Sequence, residues 1–174
     1  MGETIPGRTL ALNEWLFADV TGENSSANQL AALNFLKVFA DTPDRIVWPR
    51  ASPWENKFYQ LSKNADRSPM VRKAVILLLK RIRLDSMKAV IIDVPHCAAL
   101  DPAVADGIPK EDHYLVQAAL AARAEVLVST DNKLLDAISR ANLLLAGRHR
   151  DEFLAEYSQG RNVGPVKGKS AGGS

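Results

Sequence analysis

One cysteine, Cys97, stands in 174 residues, so no intrachain disulfide framework can form and a reducing, cytoplasmic setting is expected. Long apolar runs are missing as well. The longest uncharged stretch, Asn24 to Leu36, has 13 residues and is too polar to cross a bilayer. Met1 to Arg8 lacks the charged-then-apolar order of a signal peptide. Neither Gly-x-Gly-x-x-Gly nor Gly-Lys-Ser/Thr occurs, which argues against a nucleotide cofactor. Ser52 and Ser129 lack the glycines of a nucleophile elbow, which disfavours a serine hydrolase. His96 and Cys97 are adjacent with no spaced second pair, so a zinc site is not expected. Aromatics make up only 6% of the residues. Core packing is the default for Trp15, Trp48 and Trp54, and base stacking the sharper alternative.

What is present suits one domain, since 174 residues with 47% hydrophobic content can bury a single core. Short β-type runs alternate with helical ones, the pattern of an α/β fold with a mainly parallel sheet between two helical layers. Strands are expected at Thr9 to Leu12, Arg45 to Trp48 (ended by Pro49), Ala89 to Ile92, Val126 to Ser129 and Leu143 to Leu145. A polar turn with Gly22, Asn24 and Ser25 follows the first strand, and Asp19 is expected in a turn. Helices are expected at Ala27 to Ala40, from Pro53 behind an N-capping Ser52, from Pro69 behind Ser68 through Ile82, at Asp112 to Arg123, Asn132 to Ala141 and Asp151 to Tyr157. A loop of about fifteen residues follows Asp93, long enough to suggest function. The domain is expected over residues 1–158, with 159–174 a flexible, basic, Gly-rich tail.

The carboxylates acquire a position from this order. A helix and the strand after it run in opposite directions, so the helix start and the strand end share one sheet edge. Asp112 to Arg123 spans about 18 Å of helix and Glu125 to Thr130 about 20 Å of strand, which brings Asp112 to Asp131. Glu55, in a helix first turn, and Asn13 and Glu14, at the end of the first strand, fall at the same carboxyl edge, where open parallel sheets bind ligands. Asp93 ends another strand and is a spare candidate. Converging carboxyl groups raise one another's pKa unless a cation sits between them. Mg²⁺ or Mn²⁺ suits such oxygen ligands and serves phosphate chemistry. Any one of these acids taken alone is accounted for first by helix-dipole capping.

Lys110-Glu111-Asp112-His113-Tyr114-Leu115-Val116-Gln117-Ala118-Ala119-Leu120, continued by Glu125-Val126-Leu127-Val128-Ser129-Thr130-Asp131, resembles the PIN-domain nucleases. An acid opens a helix of small residues and a hydrophobic strand ends in a Thr-Asp type motif. Arg50-Ala51-Ser52-Pro53-Trp54-Glu55 is similar to that family's second acidic position, and Asp151-Glu152-Phe153-Leu154 to its closing segment. The resemblance runs over roughly residues 8–157 and is strongest from Asp112 to Asp131. It implies a PIN-like fold and a metal-dependent ribonuclease, an RNA-processing enzyme or a toxin of a toxin-antitoxin pair, with Glu55, Asp112 and Asp131 as ligands of Mg²⁺ or Mn²⁺. Ser129 or Thr130 would support them. It further implies RNA, single-stranded by preference, as substrate, a protein antitoxin or regulator as partner, and a homodimer. The departure is at the first strand, where Leu12-Asn13-Glu14-Trp15-Leu16 replaces the usual Asp and small polar residue. Two readings follow: an active nuclease in which Asn13 or Glu14 completes the metal site, or a catalytically weakened RNA-binding or regulatory module. A phosphoacceptor signalling domain ranks lower, because no strand ends in the lysine it would need.

The net charge of +2, from 22 cations and 20 acids, hides a segregation. Seven cations lie between Asp66 and Val90 against two acids, and Arg72, Lys73, Lys80, Arg81 and Arg83 are the candidates to hold a polyanion backbone beside the acidic edge. A solvated helix face accounts for the same residues without a ligand.

Overall fold

The computed structural model describes residues 6–162. Five parallel strands form one sheet in the order β3-β2-β1-β4-β5, where β1 is Thr9–Leu12, β2 Arg45–Arg50, β3 Ala89–Asp93, β4 Val126–Ser129 and β5 Ala146–His149. The α/β expectation holds, and the sheet is wholly parallel. Alternation along the strands splits the core into two. Leu10, Leu12, Ile46, Trp48 and Val128 face a layer made by α1 (Trp15–Thr21), α2 (Ser26–Ala40), α3 (Pro53–Lys63), α4 (Pro69–Ile76) and α8 (Arg150–Asn162). Ala11, Val47 and Leu127 face the other layer, built mainly by α6 (His113–Ala121) and α7 (Asn132–Arg140), with α5 (Pro102–Ala105) beside it. Strands buried on both faces read as near-continuous apolar runs, as Val126 to Val128 does. No helix of the described residues is long and apolar enough to cross a membrane.

Several elements differ from the expectation, each for a local reason. The polar turn lies at residues 22–24 as expected, but residues 15–21, where Asp19 was expected in a turn, form a helix; its side chains Trp15, Leu16, Phe17 and Val20 are all buried, so the run carries little polar face to betray its period. The helix closes at Gly22, whose φ of +82° lies in the left-handed region that glycine enters without strain. Strand β2 continues through Pro49 to Arg50, pairing Pro49 with Ile92. On its other side the pairing with β1 stops at Ile46, so the absent proline N–H breaks no ladder there. Strand β5 lies at 146–149 and not at 143–145. Val126 pairs with Ala146 and Ser129 with His149, while Leu144 is fully exposed. Helix α4 continues as π-helical turns over Leu77–Arg83. The last helix runs to Asn162; the rest of the expected basic tail, from residue 163, lies outside the described residues.

Two charged residues serve the fold from inside. Lys88 is buried and its ammonium donates to the carbonyls of Phe39, Thr42 and Asp44, closing the turn between α2 and β2; burial pulls its pKa below the usual lysine range. Asp19 is fully buried in α1. The Arg150 guanidinium donates to both its oxygens, at 2.9 and 3.1 Å, and Asn24 donates to one of them. This pair fastens α1 to the start of α8. Breaking a buried pair from one side leaves an uncompensated charge. Arg150→Ala is therefore expected to lose about 3–5 kcal/mol in urea unfolding, and the Asp19→Ala, Arg150→Ala double variant less than the two single losses summed.

Candidate active site at the carboxyl edge

Strand order 3-2-1-4-5 places the topological switch between β1 and β4, the position where crevices open in doubly wound sheets. Asn13 follows β1, and its backbone N–H donates to Val128 O of β4 at 2.9 Å. Beyond this closure lies a cleft of about 230 Å³ lined by Asn13, Glu14, Trp15, Glu111, Asp112, Thr130 and Asp131. Asn13, Glu14, Asp112 and Asp131 are thus brought together as the element lengths require.

Asn13 works as a donor in this cleft. Its amide Nδ2 donates to Ser129 Oγ at 3.1 Å and to Asp112 Oδ1 at 3.4 Å, and its Oδ1 accepts from the Glu14 backbone N–H at 2.7 Å. The opposite amide orientation would set oxygen against carboxylate and N–H against N–H. Ser129 is fully buried, and its Oγ also accepts from the Asp131 backbone N–H at 3.0 Å, so it supports both Asn13 and Asp131. Asp131 caps α7 through Oδ1, which accepts from Lys133 N–H at 2.8 Å.

Asp112 carries the electrostatic tension. It is only 7% exposed, and its Oδ2 has no hydrogen-bond partner among the described residues. Burial pushes its carboxyl up to about 6; the Asn13 amide opposes this, while Asp131, Glu111 and Glu14 add to it. Glu14 is better compensated. Lys57 Nζ lies 3.1 Å from its Oε2, and Tyr114 OH donates to its Oε1 at 3.2 Å. Burial, with Glu14 beside it, pushes the Tyr114 pKa above the ordinary tyrosine range. Neither Lys57 nor Tyr114 was singled out from the sequence, although Tyr114 lies two residues after Asp112 and Lys57 two after Glu55.

Glu55 departs from the expectation. It is buried, and its carboxylate accepts from Trp48 Nε1 at 2.6 Å and from the Ala51 N–H at 3.2 Å. Its own N–H donates to Ser52 Oγ at 3.3 Å. It is a capping acid that steadies Ala51, whose φ of +56° is strained for a residue with a Cβ, and it does not line the cleft. Asp93 is likewise committed, to Arg50 at 3.1 Å and His96 at 2.9 Å; the Arg50 guanidinium holds its carboxyl below the usual range. The tryptophans are 5% exposed or less and belong to the core, which removes the base-stacking alternative.

The basic helix does not flank the cleft as a whole. Arg81 pairs with Asp41 at 3.1 Å, just after α2 and before β2, at the opposite edge of the sheet. Arg83 stacks over the Trp48 ring at 5.6 Å, and Arg72 lies 3.6 Å from Asp66. Lys73 stands against Lys37 of α2, and this contact and its like charge lower the Lys37 pKa. Lys80 is exposed.

A divalent ion fits the cleft by its donor set, which consists of hard oxygens with Asp112 Oδ2 unpartnered. No group of three or more His, Cys, Asp or Glu among the described residues forms a ready-made cage. Mg²⁺ commonly takes one or two carboxylates and retains waters, and Asp112 and Asp131, both on the cleft lining, would be the carboxylates to hold it. Because the folded protein binds the Asp112 proton more tightly than the unfolded chain does, stability falls as pH rises from about 4 to about 6, and the penalty is complete above that. Asp112→Asn removes it. In EDTA near pH 7.5 the variant is expected to be more stable by about 1–3 kcal/mol, and near pH 4 the two proteins should melt alike; equal melting at both pH values would refute this account of Asp112.

Comparison with protein-family models, with curated proteins and with solved structures found no match for this chain.

Proposed function

We propose that the chain is a metal-dependent ribonuclease that hydrolyses phosphodiester bonds of single-stranded RNA at the β1/β4 cleft. The observation that carries this reading is Asp112, buried in a cleft with Asp131, Glu14 and Glu111 and paired with no cation among the described residues. Asp112 and Asp131 would hold Mg²⁺ or Mn²⁺, with Glu14 at the side of the cleft. Such an ion would supply charge neutralisation and Lewis acidity for phosphodiester hydrolysis. Ser129 holds Asp131 and Asn13 in register, and Tyr114 holds Glu14. The likeness of Asp112 to Asp131 to the PIN-domain nucleases supports the same chemistry, as it does the proposals of a protein antitoxin or regulator and a homodimer; a cytoplasmic setting is proposed from the single cysteine.

A second reading, a catalytically weakened RNA-binding or regulatory module, is favoured by Asn13 alone. Its oxygen is engaged by the Glu14 N–H and its amide quenches part of the Asp112 charge. Cleavage of a single-stranded RNA with Mn²⁺ and with EDTA separates the two. The nuclease reading expects Mn²⁺-dependent cleavage that falls by more than about 100-fold in Asp112→Asn and in Asp131→Asn; unchanged cleavage in Asp112→Asn would sink it. The module reading expects an inert wild type that Asn13→Asp switches on.

A further inference from the structure

Three successive leucines follow a sharp turn after α7 at Asn142, whose φ of +51° lies in the left-handed region that asparagine enters more readily than most residues. They then diverge. Leu145 is buried, Leu143 lines a pocket and Leu144 is fully exposed. The pocket, of about 330 Å³, lies between the loop after β3 and α6, with Ala99, Leu100, Val104, Leu120 and Ala121 as its other apolar walls. Its loop wall is fastened to the helix, because Gln117 Nε2 donates to Ala98 O at 3.0 Å. Asp101, the one charged residue of the lining, is committed to the start of α5, where its Oδ1 accepts from the Ala103 N–H at 3.0 Å. Exposed leucines scattered singly are ordinary. Leu144 is not scattered: it stands one residue, about 3.8 Å along the backbone, from the wall of an apolar socket that it does not itself fill.

We propose that this face is a homodimer interface in which the Leu144 side chain of each protomer seats in the α6 pocket of the other. Because plug and socket are neighbours on one surface, a two-fold axis midway between them carries both leucines into both sockets at once and closes the assembly at two copies. The proposal gives the homodimer suggested above a definite face, and it does not rest on the chemistry of the cleft. Leu143 precedes β5 and Ala121 ends α6, so the face lies toward the amino edge of the sheet and leaves both clefts open.

The test is sedimentation of the full chain over a range of concentrations, for wild type, for Leu144→Ser, which removes the plug, and for Ala121→Arg, which blocks the socket. Both positions are exposed, and a cation suits the end of a helix, so both variants are expected to keep the fold. Wild type is expected to sediment as a dimer. Each variant is expected to dissociate at least about 100-fold more readily, since one substitution takes two leucines out of their sockets. An equimolar mixture of the two variants is expected to associate more tightly than either alone, because the Ala121→Arg protomer supplies a leucine and the Leu144→Ser protomer an open socket. A monomeric wild type, a dimer that Leu144→Ser leaves intact, a mixture no tighter than its components, or an open-ended assembly would each overturn the proposal. A monomeric wild type that takes up an apolar dye, with uptake lost in Ala121→Arg, would overturn it in favour of a small-molecule site. If that monomer cleaves RNA with Mn²⁺, the nuclease reading stands without this interface.

Discussion

At the end of β1 and β4 two strands part company, one chain path leaving for each face of the sheet, and the carbonyls at their tips need donors. Val128 O receives both the Asn13 backbone N–H and the Trp15 indole N–H, each at 2.9 Å, and Leu12 O receives the Trp54 indole N–H at 2.7 Å. Buried carbonyls without partners would cost about as much as lost hydrogen bonds, so these bonds are a condition for opening a crevice at this point. They also set its dimensions. The same indoles that cap the strands pack edge-to-face, Trp54 against Phe17 and Trp48, and so carry the sheet edge into the larger of the two cores.

The cleft that results is unbalanced by construction of the fold. Acids are drawn to it by two separate local preferences. Asp131 caps α7, and Asp112 sits at the start of α6, where a helix dipole favours negative charge. Each is unremarkable alone. Placed at one switch point they repel, and the molecule answers with partial measures: an amide from Asn13 on Asp112, an ammonium from Lys57 and a phenol from Tyr114 on Glu14. None of these reaches Asp112 Oδ2, so the repulsion is concentrated on one carboxylate. A site with that residual charge recruits cations more readily than one whose acids are all paired.

Most of the architecture was legible because it depends on signals that local sequence carries. Ser52-Pro53 and Ser68-Pro69 announce helix starts, and both serines accept a backbone N–H in the structure. The meeting of Asp112 with Asp131 followed from the rise per residue alone. What failed depends on partners distant in sequence. Ala146 to His149 has little strand character, and it is a strand because β4 offers it a register; Leu143 to Leu145 has that character but no partner. Asp19 could be read only as a turn residue until Arg150, 131 residues away, supplied the opposite charge. Glu55 shows the finer limit. Its position in a first helical turn was right, yet which way the side chain turns was decided by the indole of Trp48 and the strained Ala51.

All three tryptophans of the chain crowd toward the carboxyl half of the sheet, and Trp15 forms part of the cleft wall. The protein's intrinsic fluorescence is for that reason a local signal and not an average over the molecule. Tryptophan emission comes from the end of the sheet where the acids converge, so a paramagnetic ion entering the cleft would quench it at short range, while events at the far edge around Arg81 and Lys88 would leave it unchanged.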